Sequence, residues 1–251
     1  MIAVGGCTSP GSGPRQPPIR PVTERAANGR FTVTLTAGAI RAADAAGVSL
    51  PPLVARALDH INALLPGPPT DITIGHFSAS QVSPQSGTNA TTSPVTGSIM
   101  IGFGPAPQAS PARTLRFWLP RSLSHEVDHS VRIIGGPGSG VSLLQQIITE
   151  GISSVFDLAA FPGPPSPSDR AISRSQECAL WRQAQPLLAD SGYYNQWMFP
   201  GAGVPNWTGF TIGYDIVSGY MHHHPHTTWA TVTAASADTI LAGSQYQPCS
   251  S

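Results

Sequence analysis

The amino-acid sequence predicts an α+β protein, with a small N-terminal β-sheet and a helix followed by a mainly helical C-terminal part. Three observations lead there. Short runs rich in β-branched residues, with polar and apolar side chains alternating, recur up to Phe103. After Thr114 the apolar residues recur at helical spacing. Clusters of glycine and proline, 26 of each in 251 residues, punctuate the chain at definite places rather than throughout. With 40% of its residues apolar, a chain of this length can bury a substantial core.

The elements follow in order. Arg30 to Ala37 (RFTVTLTA) alternates and reads as a strand, with a helix expected after it. Pro51 and Pro52 open a helix in which Leu53, Val54, Leu58, Ile61, Leu64 and Leu65 recur at helical spacing until Pro66-Gly67-Pro68-Pro69 ends it. Asp71 to Phe77 is a second strand and Ser98 to Phe103 a third. Between them, residues 78–97 are almost wholly Ser, Thr, Gln, Asn, Gly and Pro, and read as a long surface loop. The helical part breaks at Gly135 to Gly138, at Phe161 to Pro167 and at Pro200 to Pro205. Residues 1–29 read as a flexible tether and residues 30–251 as one domain.

Charge excludes whole classes of partner. Only 10% of residues are charged, and 13 arginines balance 13 acidic residues with no lysine present. Such a chain offers neither the basic footprint of a nucleic-acid binder nor a polybasic membrane patch. No run approaches the roughly 20 apolar residues needed to cross a bilayer, so no transmembrane segment is expected. Val4-Gly5-Gly6-Cys7, before the polar, proline-rich run from Thr8 to Pro21, resembles a bacterial lipobox. It implies a lipid anchor at Cys7 and an exported, cell-envelope lipoprotein, although only three residues precede the motif where a charged start and an apolar run belong. In that compartment Cys178 and Cys249 remain as a pair free to form a disulfide; in a cytosolic protein they would be buried thiols.

The chemistry concentrates in one helix, expected to open at Pro120. Its sequence His125-Glu126-Val127-Asp128-His129 is H-E-x-x-H. Residues four apart differ by about 40° around a helix axis, so His125 and His129 project from one face and can share a metal ion. Leu123, Val127, Val131 and Ile134 fall on the opposite face, toward the core. Glu126 is placed to take a proton from water at the metal.

A third ligand is required, and besides Glu126 the chain has only three glutamates, Glu24, Glu150 and Glu177. Glu150 sits in Ser142 to Phe161, a helix apolar around most of its circumference, where an unpaired carboxylate would cost several kcal/mol. A metal removes that cost, and so would an ion pair with an arginine such as Arg132. Glu24 falls in the tether, and Glu177 on an ordinary polar helix face.

His125-Glu126-x-x-His129 followed by Glu150-Gly151 resembles the gluzincin branch of the zincin metalloproteases, and looks closest to a bacterial family of predicted zinc-dependent proteases. The run from Gly209 to Tyr220 (GFTIGYDIVSGY) is similar to that family's glycine-and-tyrosine helix. The resemblance implies a zincin-like domain, with Zn2+ on His125, His129 and Glu150, Glu126 as general base and a peptide or protein substrate. It further implies a tyrosine donor to the developing oxyanion, for which Tyr214 is the best match, packing being the other role open to that residue. Asp128 and Asp157 could orient the imidazoles. An edge strand would bind extended substrate beside the cleft, with Ser98 to Phe103 the best candidate.

A second function class stays open. His222-His223-His224-Pro225-His226 could hold a divalent metal, or form a solvated helix end. With it, the chain could be a non-catalytic envelope metal-binding lipoprotein whose H-E-x-x-H zinc is structural. The fourth coordination position separates the readings, open in an enzyme and filled by protein in a structural site. His60 and His76 read as structural.

Overall fold

A computed structural model describes residues 19–199 and 203–249. Cys7 and the lipobox-like motif lie outside them. Three strands occupy the places where the alternation predicts them: β2 (Phe31–Leu35), β3 (Thr70–His76) and β5 (Ile99–Phe103), with β2–β3 and β3–β5 parallel. Parallel neighbours need a crossover. α1 (Ala37–Ala45), capped by the Thr36 hydroxyl, and α2 (Leu50–Leu64), opened by its prolines, supply the one between β2 and β3.

Two further strands close the sheet's edges. β1 (Val22–Ala26) runs antiparallel to β2 within the residues expected to be tether. β4 (Thr88–Thr92) lies inside the expected loop and pairs antiparallel with β5, from Thr88↔Phe103 to Thr92↔Ile99. The sheet order is therefore β1-β2-β3-β5-β4. Both runs are polar because an edge strand keeps much of its surface in water, and the branched Cβ of threonine still suits the extended backbone. Polarity hid them. A correction follows, since β5 is paired on both sides and the edge beside the helical part is β4.

The helical part begins with α3 (Pro111–Arg113), a π-helical turn over Thr114–Trp118, and α4 (Leu119–Gly135) in one continuous run. The helix thus starts nine residues ahead of Pro120. Leu119 N–H bonds back to Thr114 O, so the widened turn comes just ahead of Pro120, which lacks the N–H that an α-turn needs there. Leu123 and Val127 pack under the sheet as expected, whereas Ile134 is 44% exposed. α5 (Leu143–Ala160), with a Ser142/Gln145 capping box, crosses α4.

Behind α5 lies a second core, built by α6 (Arg174–Ala184), α7 (Tyr194–Met198), α8 (Thr208–His223), α9 (Trp229–Ala234) and α10 (Ala237–Ser244). α5 serves both cores, giving Phe156 and Ala160 to the sheet side and Ile147, Ile148 and Ile152 to the helical side. A Cβ on Gly213 would stand 2.1 Å from Ile147 O, and one on Gly151 2.3 Å from Gly213 O, so α5 and α8 touch backbone to backbone. Cys178 and Cys249 form a disulfide, their Cα atoms 4.8 Å apart. Among the described residues, no helix is long and apolar enough to cross a membrane.

Candidate metal centre

The crossing of α4 and α5 brings His125, His129 and Glu150 together. The two Nε2 atoms are 3.1 Å apart, and Glu150 Oε2 is 3.4 Å from each. A tetrahedral zinc with bonds of about 2.0–2.2 Å separates its ligand atoms by about 3.3–3.6 Å. The triangle found is close to one face of that tetrahedron, and two imidazoles with a carboxylate are a donor set that suits zinc. These three residues could form a metal site, the one group of its kind among the described residues.

Surrounding groups hold each donor in place. Tyr194 on α7 donates its hydroxyl to Glu150 Oε1 at 2.9 Å, which leaves Oε2 for the two imidazoles. Asp128 is fully buried, not solvated, and accepts from Ser153 Oγ at 2.7 Å and from the Thr233 hydroxyl. Ser153 has one proton and gives it to Asp128, so its oxygen, 3.2 Å from His129 Nδ1, accepts from that nitrogen. Nδ1 then carries the imidazole proton and Nε2 presents a lone pair to the centre. His125 Nδ1 lies 3.9 Å from Asp157 Oδ2, and the other oxygen of Asp157 is gripped by Arg121 Nε at 2.8 Å and by its Nη2.

Without a metal these buried charges act on one another. Burial disfavours the charged His125, but its hydrogen bond to Glu150 and the charges of Glu126, Glu150 and Asp157 outweigh that and raise it to about 9. His129 is also raised, with Glu150 overcoming burial. Glu150 is held well below the usual carboxylate range, because the two imidazoles overcome its burial. Burial pushes Asp157 up to about 7 against the opposing pull of Arg121.

Glu126 stays out of the triangle. Its Oε2 accepts from the Thr92 hydroxyl of β4 at 2.6 Å, a contact that ties edge strand to helix. The other candidates fall elsewhere. Arg132 is occupied by Thr149 Oγ1, Thr233 O and Ala235 O, and is not the partner of Glu150. Glu24 lies on β1. Glu177 is buried, held by Arg174 at 3.0 Å and by the Tyr246 hydroxyl, rather than lying on a polar helix face. His60 bonds Ala160 O at 2.9 Å, and the His76 ring packs edge-on to Phe103, both structural roles.

A cleft of about 450 Å³ opens onto all three triangle residues, and Glu126 and Tyr194 also line it. Tyr214 does not. Its buried ring lies 4.6 Å below the Arg170 guanidinium, so the tyrosine at the centre is Tyr194. The histidines at the end of α8 do not converge on one point: His222, His223 and His226 are exposed, the first two with their rings edge to face at 5.3 Å, and the His224 ring stacks on Tyr220 at 4.3 Å. Thr92, Ser153 and Tyr194 are the participants that sequence reasoning missed. The model of a family described as "Predicted Zn-dependent protease (DUF2268)" matches residues 53–242. No curated protein and no solved structure matches the chain.

Proposed function

The chain belongs to that family of predicted Zn-dependent proteases, and on this premise we propose that it hydrolyses peptide bonds with zinc held by His125, His129 and Glu150. The observation that carries the reading is the triangle of donors at 3.1, 3.4 and 3.4 Å, facing a cleft with Glu126 beside it. A structural metal would have its fourth position filled by protein, whereas this triangle gives onto open space. Zinc there would supply Lewis acidity, polarising the scissile carbonyl and lowering the pKa of water.

The chain's own groups do the rest. Glu126, oriented by Thr92, accepts a proton from the attacking water and returns it to the leaving amine nitrogen. Tyr194 and Ser153 fix Glu150 and His129. Past Thr88, whose carbonyl accepts from Ser83 N–H, the outer edge of β4 can pair with an extended substrate, which brings its carbonyl past Glu126. We place the protein outside the reducing cytosol, a reading that the Cys178–Cys249 disulfide supports.

Glu126→Gln tests the mechanism directly. The variant should keep about one zinc per chain, since the triangle is untouched, and lose about 10²–10⁴-fold in kcat on a peptide substrate. Hydrolysis at the wild-type rate by the zinc-loaded variant would remove Glu126 from the reaction.

A further inference from the structure

The cleft does not end at the metal centre. Its larger lobe of about 450 Å³ and a second lobe of about 240 Å³ share Asn89, Ala90, His125, Glu126 and Phe210. Both therefore open against the same stretch of β4 and the same side of α4. β4 is the last strand of the sheet, paired with β5 on one side only. An extended chain lying along it passes His125 and Glu126 and continues into a lobe on either side.

Charge then decides which part of a polypeptide fits. An enzyme that trims chain ends must hold a free carboxylate with a cation, or a free ammonium with a spare carboxylate. The chain has no lysine, and among the described residues lining either lobe Arg121 is the one arginine. Its donors go to Asp157, Pro164 O and the Ser166 hydroxyl. The acids of the two lobes are equally committed: Glu126 to the proton transfer, Glu150 to the triangle and Asp157 to Arg121. Neither terminus finds a counter-charge. Uncharged groups take that place: Ile133 and Phe199 in the larger lobe, Trp118 and Trp207 in the smaller and Phe210 in both stand among hydroxyl and amide side chains such as Gln146 and Ser122.

We propose, resting on the hydrolytic reading above, that the protein is an endopeptidase that cuts within extended segments carrying uncharged side chains on both sides of the scissile bond. One water is consumed. Its oxygen bonds the carbonyl carbon, the C–N bond breaks, and the proton taken by Glu126 goes to the amine nitrogen.

The test uses the zinc-loaded full chain and ten-residue peptides, either free at both ends or blocked as N-acetyl and C-terminal amide, with apolar, acidic or basic residues at the centre. Blocked apolar peptides should be cut internally at rates within about threefold of the free ones, and acidic or basic centres should lower kcat/KM at least about tenfold. Phe210→Ala should lower kcat/KM for aromatic centres more than for alanine centres, with zinc content unchanged. Cutting confined to terminal residues, or abolished by blocking, would overturn the endopeptidase assignment while leaving zinc-dependent hydrolysis standing. Equal cutting of charged and apolar centres would overturn the side-chain preference. No zinc-dependent cutting of any peptide would sink the hydrolytic reading and this inference together.

Discussion

Glu150 divides its two oxygens between a tyrosine and a pair of imidazoles, and this division sets what the centre can bind. Tyr194→Phe frees Oε1 and lets the carboxylate rotate, so zinc affinity should fall about 10–100-fold, the usual cost of losing an orienting partner. Competition with a fluorescent chelator measures it, and an unchanged affinity would show that packing alone holds Glu150. Protons compete for the same donors. Because His125 is raised to about 9 and His129 also lies above its ordinary value, the metal-free cluster holds at least one proton at neutral pH. Zinc needs unprotonated imidazoles, so its binding must release that proton, and apparent affinity should climb about tenfold per pH unit or more until about pH 9 and then level. Calorimetry at pH 7 in buffers of different ionisation heat counts the protons, and a count of zero would mean that both imidazoles are already neutral at that pH. The ligands were legible in the sequence because H-E-x-x-H is a local pattern and glutamate is scarce. Tyr194, Thr92 and Ser153 stand 44, 34 and 24 residues from their partners, and nothing in a linear pattern joins residues so far apart.

At the scale of elements, the position of Glu150 depends on how closely α5 can approach α8. Gly213→Ala would put a methyl 2.1 Å from Ile147 O, a backbone atom that cannot swing aside, so the helices must separate. We expect a loss of about 1–3 kcal/mol in denaturant unfolding, together with weaker zinc binding as α5 shifts. Gly135→Ala is the contrast: nothing lies within 4 Å of its Cβ position, and stability should change little. Equal effects in the two variants would refute the close-contact account. The glycines between 209 and 219 were visible in the sequence as a packing signal, though not their partner. β4 was not visible at all, because a polar, threonine-rich edge strand has the composition of a loop and reveals itself only by pairing with β5. The turns that run into α4 from Pro111 were hidden differently, since Pro120 is a good opening residue by every local rule, and a π-turn joins the earlier turns to it.

The whole molecule consists of two apolar cores joined across α5, with the triangle where α4 meets it. Sequence periodicity marks a segment as apolar without saying which core it enters, so the α+β class could be read and the division could not. The disulfide belongs wholly to the second core. It fastens the chain end to α6, where the Tyr246 hydroxyl bonds Glu177 and Arg174 Nη2 bonds Gln247 O at 3.3 Å. Cys178 and Cys249 are 71 residues apart, and closing a loop of that size in the unfolded chain is worth about 4 kcal/mol in the chain-entropy view, within a usual range of about 2–4. Neither sulfur touches the triangle or lines the cleft. The double variant Cys178→Ser, Cys249→Ser should therefore unfold at lower denaturant, by about 2–4 kcal/mol, while zinc stoichiometry and peptide hydrolysis at 25 °C match the wild type. A fall in zinc binding equal to the fall in stability would mean that the two cores unfold as one unit with the metal centre; an unchanged midpoint would mean that the contacts of Glu177 hold the chain end without the bond.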